Sequence, residues 1–147
     1  MKSARAFLVL ALLPVGGCFN DGPPAPEEIA LDRYDEAEVH FAAGRYEEAA
    51  QGYEYAVLHR SRWKEAYVKL ARCREAAGRD ADATAVLERL LGIDRFDEEA
   101  LRTLGRIYAR LGSTDQALLR YRRLRDLRPE DRSLDGEIAR LEALRKP

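Results

Sequence analysis

The sequence predicts an all-α fold: three antiparallel helix pairs in a row, closed by a seventh helix. Two observations carry this. From Ile29 onward apolar residues recur at three- and four-residue spacing, no segment alternates as a strand does, and no proline interrupts the chain until Pro129. The same stretch also repeats with a period of 34 residues. Gly44, Gly78 and Gly112 mark the period. So do Ala49, Ala83 and Ala117, then Tyr53, Leu87 and Tyr121, and finally Ala37, Ala71 and Gly105.

The composition agrees with one globular domain. Of 147 residues, 46% are hydrophobic and 35% charged, which is too apolar for a disordered chain. The net charge of −1 speaks against a dedicated nucleic-acid binder. Two cysteines, Cys18 and Cys73, cannot form a disulfide scaffold.

In chain order, residues 1–17 read as an address. Lys2 and Arg5 form a positive start, and Ala6 to Val15 is an apolar run of ten residues. About 20 apolar residues are needed to span the hydrocarbon, so this run is too short for a transmembrane helix. Val15-Gly16-Gly17-Cys18 resembles a bacterial lipobox. The resemblance implies cleavage before Cys18 and a diacylglyceryl group on its thiol. Phe19 stands where an aspartate retains enteric lipoproteins in the inner membrane, so the resemblance favours the outer membrane, facing the periplasm. Residues 18–28 then form a lipid-bearing tether: Pro23, Pro24 and Pro26 are expected to keep it extended and non-helical. The alternative at this point is a soluble secreted protein with a coincidental cysteine.

The repeats occupy residues 29–129, as units of about 30–63, 64–97 and 98–131. Helices are expected at 30–43, 47–60, 64–77, 80–92, 98–111 and 114–127. Glycine past the end of each first helix accepts the left-handed conformation without strain. The small residues on either side of it let paired helices approach closely. A cap over 130–147 carries a seventh helix at 131–145, with Leu134, Ile138, Leu141 and Leu144 on its apolar face. The first repeat has no cap before it, so Ile29, Leu31, Tyr34 and Phe41 are expected to leave an apolar face open.

These columns, with Gly44-Arg45-Tyr46-Glu47-Glu48-Ala49 at the turn and Leu127-Arg128-Pro129 at the end, resemble the tetratricopeptide repeat (TPR) family. The resemblance implies a right-handed superhelical solenoid whose first helices line a concave protein-binding groove. His40 and Glu36 depart from the pattern in the first repeat.

No catalytic or metal-binding spacing appears, and no cofactor motif. His40 and His59 have no ligand partner at a useful distance in sequence. Cys73 reads as a buried small hydrophobe. No enzyme activity and no cofactor are expected. By register, the partner-binding groove is expected to hold Tyr34, Glu38, Phe41, Lys69, Arg72, Arg102, Arg106, Arg110 and Arg140, beside Glu65, Glu75, Glu99 and Thr103. Arg72, Arg106 and Arg140 fall 34 residues apart, so the C-terminal half of the groove is expected to be basic and suited to an acidic or extended peptide. The competing reading is a solvated arginine row neutralised by nearby glutamates. The asparagines of the family's chaperone-binding clamp are absent. A second basic run, Arg120 to Arg128, reads either as a headgroup-facing patch or as a solvated helix face.

Two functions follow. One is a membrane-anchored scaffold that binds a protein partner in its groove in the cell envelope. The other is a structural subunit of a pilus- or secretion-type assembly, self-associating through the first repeat, with Tyr34→Asp or Phe41→Asp expected to abolish it.

Overall fold

The computed structural model describes residues 24–145. The expected signal peptide, the expected lipobox with Cys18 and most of the expected tether lie outside them. Seven helices follow one another: α1 (Pro26–Ala42), α2 (Tyr46–His59), α3 (Lys64–Ala76), α4 (Asp80–Ile93), α5 (Glu98–Arg110), α6 (Thr114–Leu127) and α7 (Arg132–Arg145). Each helix packs mainly on its predecessor and successor, and the α4–α5 junction is the slimmest. The chain is therefore all-α, with helices packed in pairs along one direction.

One boundary corrects the sequence reading. Pro26 does not extend the tether but opens α1, so the helix begins at Pro26 rather than near residue 30. Proline is compatible with the first helical position, where its missing N–H has no intrahelical acceptor. The Glu28 carboxylate reaches back to accept from the Ala25 N–H at 3.2 Å and fixes this start.

The three period glycines end the first helix of each pair. Gly44, Gly78 and Gly112 have φ of 73°, 74° and 73°. In each turn the glycine N–H and the following N–H bond back to two carbonyls of the last helical turn. At Gly44 these are Phe41 at 3.0 Å and, from Arg45, His40 at 2.9 Å. This double bond pattern satisfies carbonyls that the helix end would leave without donors.

The core is a strip of buried side chains running from Ala37 to Leu141. Ala49, Ala83 and Ala117 are fully buried where paired helices cross. Replacing Ala83 or Ala117 by leucine overpacks that crossing, and a loss of about 1–3 kcal/mol in denaturant unfolding is expected. Leu134, Ile138 and Leu141 of α7 are buried and close the end of the strip. Cys73 is buried too, and its burial pushes the thiol up to about 11. That makes it a packing residue rather than a nucleophile.

Polar contacts between repeats recur with the same period. The second helix of one pair contacts the first helix of the next through residues 20 apart. Arg74 donates to Glu54 at 2.9 Å, Tyr108 to Glu88 at 2.9 Å, and Arg122 to Glu142 at 2.6 Å. The third contact keeps the geometry and inverts the charges. Within the repeats another column also inverts: Lys64 bonds Asp94 at 2.9 Å in one repeat, whereas Glu98 accepts from Arg128 at 2.7 Å in the next. Exposed ion pairs contribute little energy singly. The inverted sign of the Arg122–Glu142 contact favours α7 at that place over a shifted repeat.

Candidate concave groove

The first helices of the pairs, α1, α3 and α5, contribute residues to one side of the molecule. A cleft of about 470 Å³ opens there, bordered by Phe41, Tyr46, Arg72, Glu75, Thr103 and Arg106 among others. A second cleft of about 560 Å³ continues it towards α7, between Arg102, Arg110, Tyr121, Glu137 and Arg140. The 34-residue register thus brings Phe41, Arg72, Arg106, Arg110, Arg102 and Arg140 to adjoining clefts. Arg106 and Arg110 line both.

The charges inside are arranged differently from the expected basic strip. Arg106 grips Glu75 with both guanidinium nitrogens, one at 2.8 Å. Arg110 also reaches Glu75 at 3.1 Å and Asp80 at 3.1 Å. Arg102 bonds Asp131 at 2.7 Å, and Arg140 bonds Glu137 at 2.6 Å. Lys69 bonds Glu38 at 2.8 Å. The C-terminal half of the groove is therefore an ion-pair mosaic, not a bare row of cations. The physical reason is an offset of 31 residues, one repeat less about one helical turn. It sets Glu38 beside Lys69 and Glu75 beside Arg106 across neighbouring first helices.

Arg72 is the exception. It makes no ion pair among the described residues and sits over the Phe41 ring, 5.4 Å from its centroid. Lys69 approaches the same ring at 5.1 Å. Phe41 meets Tyr46 edge-on at 5.6 Å. This end of the groove combines aromatic faces with a guanidinium that lacks a carboxylate. Tyr46 is a lining residue that the sequence reading missed. Its position two residues past Gly44, at the start of α2, was the available signal.

Tyr34 and Glu38 belong to a packed network rather than an open surface. Tyr34 stacks on Trp63 at 4.2 Å and meets Tyr53 edge-on at 5.2 Å. Burial first, then the neighbouring Glu38 carboxylate, push its hydroxyl up to about 12. The Tyr53 hydroxyl donates to Glu38 at 2.5 Å. Burial alone would raise the Glu38 carboxyl, but hydrogen bonds from Lys69 and Tyr53 outweigh it and hold it below the ordinary carboxylate value. Arg106 does the same for Glu75. Both groups therefore stabilise the fold fully above the ordinary value of 4.5, and that contribution is lost as the pH falls below it. Denaturant unfolding from pH 7 to pH 3 is expected to show this loss, and Glu75→Gln is expected to flatten the curve.

The open first-repeat face also needs correction. Tyr34 and Phe41 pack inward against Tyr53, so Tyr34→Asp or Phe41→Asp would disrupt the core instead of reporting self-association. The uncovered face is a cleft of about 660 Å³ on the other side of α1, bordered by Ile29, Arg33, His40, Gln51 and Tyr55. The expected basic run on α6 is largely neutralised. Arg120 bonds Glu88 at 2.7 Å, Arg122 bonds Glu142 and Arg128 bonds Glu98. Among the described residues no group of His, Cys, Asp and Glu is placed to hold a metal ion, and no helix is long and apolar enough to cross a membrane.

Comparison with known proteins agrees with this geometry. Two family models, both described as tetratricopeptide repeat, match residues 40–107 and 99–131. No curated protein matches by sequence. Solved structures do. The first TPR of Spaghetti (RPAP3), bound to the HSP90 peptide SRMEEVD, superposes with a TM-score of 0.71 at 19% identity, over 82% of this chain and 96% of that one. The Yersinia enterocolitica type III secretion chaperone SycD, in complex with a peptide of the translocator YopD, gives 0.72 at 13% identity, over 81% and 96%. MamA gives 0.71 at 17% identity, over 79% and 68%. The matched models span most of the repeat region, and the helices, glycine turns and small-residue crossings are those of their fold: the chain belongs to the tetratricopeptide-repeat family.

Proposed function

We propose that this protein is a lipid-anchored scaffold of a bacterial cell envelope that binds a partner peptide or protein in its concave groove. The observation that carries the groove reading is the cleft bordered by Phe41, Tyr46, Arg72 and Arg106, where aromatic rings adjoin a guanidinium without a carboxylate partner. Such a surface takes an extended segment that presents both an acidic and an apolar side chain. Similar structures that hold peptides support the choice of ligand class: SRMEEVD on the first TPR of Spaghetti, and SGPTIEEVD on the second TPR domain of human RPAP3. The anchoring reading rests on Val15-Gly16-Gly17-Cys18 after an apolar run, with the outer membrane, facing the periplasm, as the destination.

The test is a pull-down from native membranes with the full chain, beside a variant carrying Arg72→Glu, Arg106→Glu and Arg110→Glu. A protein captured by the wild type and lost by the variant supports the groove reading. Identical captures overturn it. Cys18→Ser, followed by membrane fractionation, checks the anchor: release into the soluble fraction is expected, and retention overturns the lipoprotein reading.

A second reading, a structural subunit that self-associates through its first repeat, is favoured by the uncovered cleft bordered by Ile29, Gln51 and Tyr55. Sedimentation of the wild type and of Tyr55→Asp separates it from the first, since the groove is untouched by that change.

A further inference from the structure

Four arginines at one end of the solenoid escape the ion pairing that neutralises most others. Arg60, Arg62, Arg89 and Arg95 are exposed and make no ion pair among the described residues. Three of them lie over aromatic rings instead: Arg60 over Trp63 at 4.8 Å, Arg89 over Tyr67 at 5.5 Å and Arg95 over Phe96 at 4.7 Å. Arg62 borders two adjoining clefts, one with Arg60 and Trp63 and the other with Arg89 and Ile93. Lys64 bonds Asp94 at 2.9 Å and so draws Arg95 and Phe96 alongside. Arg60, Arg62 and Arg89 therefore border adjoining clefts at the α2–α3 loop and the end of α4, and the Lys64–Asp94 bond ties the α4–α5 loop that carries Arg95 and Phe96 to them. Glu27 and Glu65 line the cleft with Arg60 and Trp63 as well, while Asp94 and Asp97 are both within reach of Lys64. With Lys64 the patch carries five cations against four carboxylates, a net charge of +1.

The patch is also apolar. Ile93 is 41% exposed and Phe96 49% exposed, beside the half-buried Trp63. Arginine on an aromatic face, with tryptophan and aliphatic neighbours, matches the region where headgroups meet acyl chains. The antiparallel alternation of helices puts the start of α1 at this same end, and Glu27 of its first turn borders the cleft with Arg60 and Trp63. Cys18 precedes Ala25 by seven residues, a reach of at most about 25 Å.

We propose that this end of the solenoid docks on a bilayer rich in anionic phospholipid. Arg60, Arg62, Arg89 and Arg95 bind the phosphate groups, and Trp63, Ile93 and Phe96 enter the headgroup layer. The orientation rests on the lipoprotein reading, because a lipid on Cys18 holds this end nearest the membrane. Docked this way, the helix axes stand away from the bilayer and the groove opens sideways.

Trp63 is the chain's one tryptophan, which gives a local probe. The full chain is mixed with vesicles of phosphatidylglycerol and phosphatidylcholine, or of phosphatidylcholine alone, each containing a nitroxide-labelled headgroup lipid. Trp63 quenching and vesicle flotation are measured together. Quenching is expected on the phosphatidylglycerol vesicles only, and is expected to be relieved by high salt. With Arg60, Arg62, Arg89 and Arg95 all changed to glutamine, docking is expected to weaken by at least roughly tenfold while lipid-driven flotation persists. Salt relief in the wild type needs no variant, so misfolding cannot mimic it. Absent quenching, or quenching that neither salt nor the variant reduces, overturns the docking face. Failure to float on phosphatidylcholine alone counts against the lipid anchor. In that case salt-sensitive binding to phosphatidylglycerol vesicles still supports the patch, and no binding to either overturns it.

Discussion

Replacing Gly52 with valine, the residue that repeat two carries at the same place (Val86), is expected to lower the thermal midpoint by about 10 °C, near the upper end of overpacking costs. Gly52 lies mid-helix in α2, where glycine ordinarily costs about 1 kcal/mol relative to alanine. Its use is steric. A Cβ there would stand 2.4 Å from the Arg33 carbonyl oxygen and 2.8 Å from the Ala37 Cβ. The oxygen belongs to the α1 backbone and cannot rotate away, so the whole helix pair must open. In repeat three a glycine on the other helix makes room for a side chain instead of a backbone. A Cβ on Gly105 would come within 2.8 Å of the Tyr121 ring. Each repeat with tyrosine in the large column, Tyr53 or Tyr121, thus has one glycine at the crossing. Repeat two, with Leu87, has Ala71 and Val86 and no glycine there. It follows that Gly105→Ala is rescued by Tyr121→Leu, which restores the Ala–Leu combination of repeat two. A double-mutant cycle with a positive coupling checks it. Additive losses would mean that the ring and the missing Cβ are unrelated.

These glycines also show what could be read in the sequence and what could not. The turn glycines were legible because all three sit in one column and each serves one backbone need, a positive φ. They fixed helix ends at Ala42, Ala76 and Arg110, each within a residue of expectation. Gly52 was not legible: its column reads Gly, Val and Arg, and the need it meets belongs to a single crossing. Pro26 was misread because a proline breaks a helix interior and opens a helix start, and only the first effect was weighed. In the groove, register brings Arg72, Arg106 and Arg110 to one cleft. Their partners were hidden because the 34-residue comparison aligns like positions, whereas Glu75 meets Arg106 across an offset of 31.

That offset decides the second large effect. Glu75 sits between Arg106 and Arg110 and occupies the place an incoming carboxylate would take. A ligand acid must displace it or share the two guanidiniums with it. Glu75→Gln is therefore expected to tighten binding of acidic peptides several-fold, even as it removes a stabilising contact between α3 and α5. Arg72→Glu acts oppositely: it places an acid over Phe41 where the ligand's acid would come, and binding should fall by roughly a hundredfold. An array of extended ten-residue peptides graded in glutamate and aspartate content, read by fluorescence anisotropy, separates the outcomes. If Glu75→Gln and Arg72→Glu shift affinity in opposite directions, the groove selects by charge, and Glu75 is its internal competitor. If neither moves it, the mosaic is a structural seam between repeats, and the partner surface lies at the uncovered face of α1 and α2. Opposite shifts in binding from two changes that both weaken the fold cannot arise from lost stability alone, which would lower both.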